Sequence, residues 1–548
     1  MKKRSNNIVT FALALSFAFS TSSCSDFLNV EPTGNLTEEQ VFEKIDNVEP
    51  LVLGLYKSYR GCRAGRNGLM QNLGNDETQQ GNFQLNTEGD QAGMDKYNGQ
   101  LNPSSKQVQA IWDSRWALIT PAAKAIKALG MTKEDPERAK QLMGEACFIR
   151  GLVMYEMSMY WGEIPVIDMN RTEELGLGRK PLALVWEYII QDFMTAAESL
   201  PVSYTNDPQR ATRGAAYTML AKAYMSAPEE TGFRDFAKAD EALKKVMDGK
   251  YSLVSSYADL WRYDNPNTVE SIFELQFSPR TNDRNMWEFD CGSRACDTWF
   301  SQGCYFSGYD FLVPTPFAYK TVEEGGIWED GDLRKEEALR YDFTYKTNKY
   351  KPDGADNDDP TVYYTITPNL SKTSWTGTTD ELEPHIKKFE DYRTDIWSGL
   401  GINNMWESGK TFPMLRFADV ILMHAECLNE LGQTAEAVNE VNNKIRTRAF
   451  GGELPADKKW NTGMSKEEFR EKIMDERFRE LCFEGWRRMD LIRTGKFVEL
   501  VKARNRWAKE SGTIQAFNVR YPIPETEIKT NEAFSPEDQN PGYSTTIK

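Results

Sequence analysis

FPMLRFADVILMHAECLNELGQTAEAVNEVNNKIRTRAF, Phe412 to Phe450, decides the fold. Leu415, Ala418, Leu422, Ala425 and Leu428 recur at three- and four-residue steps, the spacing of one face of an α-helix. Gly432 breaks the pattern. A second helix resumes with Ala437, Val438, Val441 and Ile445 on one face and Asn439, Glu440, Asn442 and Asn443 on the other. Ala425, Ala435 and Ala437 beside the turn are small enough to let two antiparallel helices approach closely.

A pair of this size, ~34 residues, is a hairpin of the tetratricopeptide kind, which cannot bury its apolar face alone and stacks on neighbours. Those neighbours are legible. Thr37 to Tyr59 reads as a helix opened by Thr37 with Gln40 in capping-box spacing, and Ile111 to Leu129 as another. Asp135 caps a third, with Pro136 in its first turn and Ala139, Leu142, Ala146, Ile149, Val153, Met157 and Tyr160 along its buried stripe. Leu182 to Leu200 is helical, followed by a pair carrying Tyr217, Leu220 and Tyr224, then Phe236, Ala239, Leu243 and Val246, stopped by Gly249. Ser271 to Phe277 alternates as a strand, and Ser465 with Glu468 opens a last long helix. Residues 61–105, rich in Gly, Asn, Asp and Gln, predict long loops, which are functional or disordered. Residues 278–410 lack sustained helical periodicity, and the tail Tyr521 to Tyr543 is extended and Pro-rich. The fold class is therefore mainly α: helical scaffold, irregular insertion, helical scaffold, as one interdigitated body.

The N-terminus carries Lys2, Lys3 and Arg4, an apolar Ile8 to Phe19 too short to span a bilayer, and Thr21-Ser22-Ser23-Cys24. This is the form of a bacterial lipoprotein signal over residues 1–23, with acyl chains expected on Cys24. Its loss takes three basic residues from 66, so 63 face 82 acidic ones, a charge of −19 rather than −16. That balance excludes nucleic acid as a partner, because phosphate binding needs a basic footprint. Of the remaining cysteines, Cys147, Cys427 and Cys482 fall in helical patterns and read as buried small hydrophobes. Cys62, Cys291, Cys296 and Cys304 fall in loops of an exported chain, where disulfides are possible but three pairings remain open. No C-x-x-C pair supports zinc.

Eight segments, taken together, resemble the SusD/RagB family of outer-membrane lipoproteins. They are the tether Cys24-Ser25-Asp26-Phe27-Leu28, GEACFIRGLVMYEMSMYWGEIPV (Gly144 to Val166), YSLVSSYADLW (Tyr251 to Trp261), NTVESIFELQF (Asn267 to Phe277), LRFADVILMHAECLNELG (Leu415 to Gly432), ERFRELCFEGWRRMDLIRTGK (Glu476 to Lys496), YPIPETEI (Tyr521 to Ile528) and QNPGY (Gln539 to Tyr543). The resemblance implies about four tetratricopeptide-like hairpins in a superhelix, an N-terminal part over 24–270 and a C-terminal part over 271–548 that contains the ligand-side insertion 278–410. It also implies a non-catalytic, surface-exposed, lipid-anchored outer-membrane protein. Such a protein binds a glycan or oligosaccharide, or a peptide in the RagB branch, and works with a SusC-like TonB-dependent transporter. No cofactor is implied.

The chemistry-bearing residues agree with a binder. His occurs only as His385 and His424, which leaves little for nucleophilic catalysis. Glu480 and Glu484 lie one helical turn apart, the two-carboxylate minimum of a glycosidase, but Arg477, Arg479, Arg487, Arg488 and Arg493 around them favour an ion-pair network. Asp353, Asp356, Asp358 and Asp359 invite calcium but lack EF-hand spacing and read as a solvated loop, so no metal is expected. Arg284 to Tyr319 holds ten aromatics in 36 residues against 12% for the chain, interleaved with glycines. Sugar rings pack their C–H faces on such side chains while their hydroxyls pair with Asp, Asn and Arg. The ligand candidates are Trp287, Trp299 and Tyr305 in this stretch, with Asp76, Asn82 and Tyr97 chosen by chemistry from the N-terminal loops.

Overall fold

The structure, a computed structural model, describes residues 38–87, 91–169, 177–278, 285–293, 298–299, 305–306, 308–340, 343–345, 364–366, 383–390 and 408–544. The signal segment, Cys24, Thr37 and the acidic run Asp353 to Asp359 lie outside the described residues.

The scaffold helices are α1 (Ile45–Arg63), α2 (Lys106–Met131), α3 (Pro136–Trp161), α4 (Leu182–Ser199), α5 (Arg213–Ser226), α6 (Phe236–Val246), α7 (Phe417–Glu430), α8 (Thr434–Glu440) and α9 (Lys466–Leu481). Each packs on the next in chain order, α1 on α2 through to α6 on α7, and α7 then packs on both α8 and α9. Short links at 132–135 and 431–433 make α2–α3 and α7–α8 antiparallel neighbours. The caps sit where the sequence puts them: Asp135 accepts from Arg138 N at 3.1 Å and Ser465 Oγ from Glu468 N at 3.1 Å. From Gly144 onward α3 is buried on every side. Gly151 makes this possible, because a Cβ there would lie 3.1 Å from Asp192 and Phe193 of α4. Arg150 reaches across the same contact in a two-pronged pair with Asp192, at 2.7 and 2.8 Å.

The chain leaves this stack and returns to it through one antiparallel strand pair, β1 (Ser271–Leu275) with β2 (Phe412–Arg416), in which Phe412 faces Leu275 and Arg416 faces Ser271. The deciding stretch therefore opens as a strand, and the helix starts only at Phe417, so Leu415 belongs to β2. Pro413 explains the correction: it lacks an N–H and drives Phe412 into extended backbone, which a two-stranded ladder tolerates. Asn442, assigned to a polar face, is buried in a π-turn that follows α8, where its side chain pairs with the backbone of Trp460 at 2.9 and 3.1 Å.

Three more expectations change. The first helix is broken at Glu43–Lys44, where Asn47 Nδ2 donates to Val41 O at 2.7 Å and closes the short turn Glu38–Phe42. Much of 61–105 is interior structure rather than open loop, with short helices at Arg66–Met70, Asn82–Thr87 and Gly93–Lys96 and a buried run from Asn75 to Gln80. Its polarity is satisfied internally: Asp95 accepts from Gly74 N, Gln80 N and Asn505 Nδ2 at 2.9 to 3.1 Å. Cys62 ends α1 and Cys291 ends a short helix, both as free buried thiols, and burial pushes the Cys62 thiol up to about 11. Cys296 and Cys304 lie outside the described residues. No described helix is long and apolar enough to cross a membrane.

Candidate ligand-binding site

Behind the neck of the insertion, buried carboxylates and arginines interlock. Arg416 reaches Glu480 at 2.6 Å, Glu484 at 2.8 Å and Glu270 at 2.8 Å; Arg334 reaches Glu480 at 3.0 Å and Glu476 at 2.8 Å; Lys388 reaches Glu484 at 2.9 Å. The ion-pair expectation holds, but the partners of Glu480 and Glu484 come from Arg334, Lys388, Arg416 and Arg448, not from the five neighbouring arginines. Burial would raise Glu480, yet Arg448, Arg416 and Arg334 hold it far below the usual carboxylate range. A carboxylate so paired and enclosed is neither a proton donor near neutrality nor open to a substrate. His385 is equally occupied, 2.8 Å from Asp310 Oδ1 and 2.7 Å from Glu383 O, and His424 sits between Asp240 and Glu440. Among the described residues no group of three or more His, Cys, Asp or Glu is placed to hold a metal.

The aromatic-rich segment begins at Asn285, tied to Ser408 by two backbone hydrogen bonds at 2.9 and 2.7 Å. The short helix Trp287–Cys291 follows. Trp287 points inward, 5% exposed, against Phe412, Phe389 and Phe277 at 4.9, 5.3 and 5.8 Å between ring centres. Its helix turns Phe289 the other way, stacked on Tyr309 at 5.6 Å and 24°. Phe83, from the Asn82–Thr87 helix, meets Tyr309 edge-on at 6.2 Å, and the Arg66 guanidinium lies 4.3 Å from the same ring. Arg66 also pairs with Asp290 at 2.9 Å, so its charge is balanced. Gln84 Nε2 donates to Tyr309 O at 2.6 Å and Gly81 N to Asp310 O at 2.9 Å, joining the N-terminal segment to the insertion. Phe83, Phe289, Tyr309 and Asn82 are half-buried, a partly open aromatic face beside polar groups.

Gly308 approaches Gly292 so closely that a Cβ at 308 would fall 2.0 Å from the Gly292 carbonyl, and Asp310 N donates to Gly292 O at 3.1 Å. Between these pinched ends, β3 (Thr298–Trp299) pairs antiparallel with β4 (Tyr305–Phe306), setting the Trp299 and Tyr305 backbones opposite each other. Their side chains lie outside the described part.

Three candidates need correction. Asp76 is 0% exposed and takes Arg487 at 2.7 Å and Arg504 at 2.9 Å; burial raises its carboxyl, but the two guanidiniums hold it below its ordinary value. Tyr97 is buried in the left-handed region, φ 52°, donating to Gly74 O and accepting from Arg488 Nη1 at 3.1 Å. Trp287 fills the core described above. All three are candidates by chemistry that packing has withdrawn from the surface. Asn82 stays beside the aromatic face, and of Trp299 and Tyr305 only the paired backbones are described. Phe83 and Arg66 were missed; Phe83 had a signal, as the lone aromatic between Tyr59 and Tyr97, and Arg66 had none.

Residues 269–543 match the family model described as SusD family, and residues 26–225 match one described as starch-binding, associating with outer membrane. The chain belongs to the SusD family. SusD-like protein P2 of Formosa agariphila is 26% identical over 545 residues, 95% of this chain and 97% of that one. Starch-binding protein SusD of Bacteroides thetaiotaomicron is 26% identical over 442 residues, 76% of this chain and 74% of that one. Among solved structures, a laminarin-binding SusD-like protein superposes with a TM-score of 0.70 at 20% identity, covering 91% of this chain and 100% of that one. The mainly α SusD fold is thus shared at low identity, while the half-buried rings of this SusD-family chain are described by its own residues.

Proposed function

We infer that this chain is a non-catalytic glycan-binding lipoprotein of the outer membrane. It is anchored through acylated Cys24 on the cell surface and delivers an oligosaccharide to a SusC-like TonB-dependent transporter. The observation that carries the reading is the Phe83, Phe289 and Tyr309 face beside Arg66 and Asn82. Stacked rings next to compensated polar groups suit the apolar faces and hydroxyls of sugars. Family membership and relatives named for starch and laminarin support the ligand class. The stacked helix pairs support a scaffold of about four tetratricopeptide-like hairpins, and we keep 24–270 and 271–548 as its two interlocked parts.

Titration calorimetry of the mature protein against maltoheptaose, laminariheptaose and a panel of unrelated peptides tests the ligand. Phe83→Ala with Phe289→Ala is expected to weaken glycan binding roughly tenfold or more, since each ring contact contributes about 0.5–1.5 kcal/mol. Heat with peptides alone replaces this reading with a peptide-binding one. Release of shortened sugars, lost on substitution of one carboxylate, replaces it with a glycosidase.

A further inference from the structure

Next to Tyr309 in the chain, Asp310 turns into the protein. It takes the left-handed conformation, φ 50°, and is 0% exposed. Its backbone ties together the two segments that carry the aromatic face: Gly81 N donates to Asp310 O at 2.9 Å, and Asp310 N donates to Gly292 O at 3.1 Å. One residue earlier, Tyr309 N donates to Phe289 O at 2.9 Å. The Asp310 carboxylate meets His385, a histidine 1% exposed that the proposed function does not use. His385 arrives on the short strand His385–Ile386, whose antiparallel partner is Leu339–Arg340.

Two contacts fix the protons on this ring. Nδ1 lies 2.7 Å from Glu383 O, and Nε2 lies 2.8 Å from Asp310 Oδ1. A carbonyl oxygen can only accept, so Nδ1 carries a proton, and a neutral imidazole would then turn the Nε2 lone pair toward the carboxylate. Both nitrogens donate only in the imidazolium. The other charged groups around the ring have partners of their own among the described residues. Glu383 pairs with Arg506 at 2.7 Å, Arg340, opposite His385 in the strand register, pairs with Glu390 at 3.0 Å, and Lys388 pairs with Glu484 at 2.9 Å. We propose that His385 is a positioning residue of the aromatic face: it holds both ring protons, and this imidazolium seats the Asp310 carboxylate and, through the Asp310 backbone, fixes Tyr309 against Phe289. A neutral ring would set two lone pairs 2.8 Å apart in an enclosed site, and the turn that carries Tyr309 would have to yield. The inference rests on the proposed function only in taking that face as the glycan site.

The chain has two histidines, so the test begins with mature protein carrying 15N-labelled histidine, the His385 signals being those lost in His385→Gln. Nitrogen NMR at neutral pH should show a proton on both ring nitrogens of His385. Asp310→Asn is the second arm: an Asn amide can donate to a bare Nε2, and Asn tolerates the left-handed region as Asp does. One ring nitrogen should then become bare while the face keeps its geometry. Hydrogen exchange of peptides spanning 80–87 and 308–312 reads the two backbone bonds of Asp310, and calorimetric titration with maltoheptaose and laminariheptaose reads the face. Asp310→Asn should match the parent in both. His385→Ala, which strands the carboxylate, should exchange faster and bind more weakly by roughly tenfold or more, and adding Asp310→Asn to it should recover most of that loss. Peptides from α3 should keep the parent's protection throughout; if His385→Ala does not fold, the ring signals and the Asp310→Asn protein decide. A bare ring nitrogen in the parent, a loss in Asp310→Asn as large as in His385→Ala, or no recovery in the double variant overturns the proposal. Silence of both glycans in the parent counts against the proposed function and leaves the ring signals and the exchange to decide the role of His385.

Discussion

At the scale of single residues, burial decides what a polar side chain does. Asp76 and Glu77 are neighbours in the chain and both fully enclosed, yet they are driven in opposite directions. Asp76 has two guanidiniums and ionises readily. Among the described residues Glu77 has only Phe483 N on Oε2 at 3.2 Å and no partner on Oε1, and burial pushes it up to about 8 despite Arg487 nearby. A raised carboxyl favours the folded state fully below its unfolded value of about 4.5, and that contribution is lost as pH rises through about 8. Glu77→Gln keeps the neutral form at every pH. Its thermal midpoint, compared with the parent at pH 5 and pH 8.5, should therefore gain at the higher pH; a difference that does not change with pH would reject the assignment.

At the scale of elements, glycines mark where helices stop and where they continue. Gly432 ends α7 with φ 83° and open space around it, so a methyl group there meets no neighbour and the cost is backbone strain alone. Gly54 lies inside α1, also with nothing near. The same change should thus have opposite signs: Gly432→Ala is expected to lose about 1–2 kcal/mol, and Gly54→Ala to gain about 0.5–1 kcal/mol. Urea unfolding measures both, and equal signs would show that a contact rather than conformation governs one of them. The pattern of small and apolar residues made these helices legible. It did not reveal that Phe412–Arg416 is a strand, because its partner Ser271–Leu275 lies far away in the chain and the pairing decides the matter.

At the scale of the whole molecule, the insertion is held at its neck by β1, β2 and the buried network of Arg416, and removing one partner from such a network costs about 3–5 kcal/mol because the other charge stays buried alone. The rest of the proposal lies in the anchor. Cys24→Ala should shift the protein from the membrane fraction to the soluble fraction of fractionated cells; retention in the membrane would require a different attachment.

The sequence by itself determined the mainly helical scaffold, its caps at Asp135 and Ser465, its family and the aromatic richness of 284–319, since each follows from local spacing or from segments read in order. It chose site residues by chemical type, and type does not encode depth. Only the tertiary structure decided that Trp287, Asp76 and Tyr97 turn inward while Phe289, Phe83 and Tyr309 meet at a half-open face. A side chain's exposure depends on which distant elements pack over it: here Phe389 and Phe412 over Trp287, and Arg487 and Arg504 over Asp76.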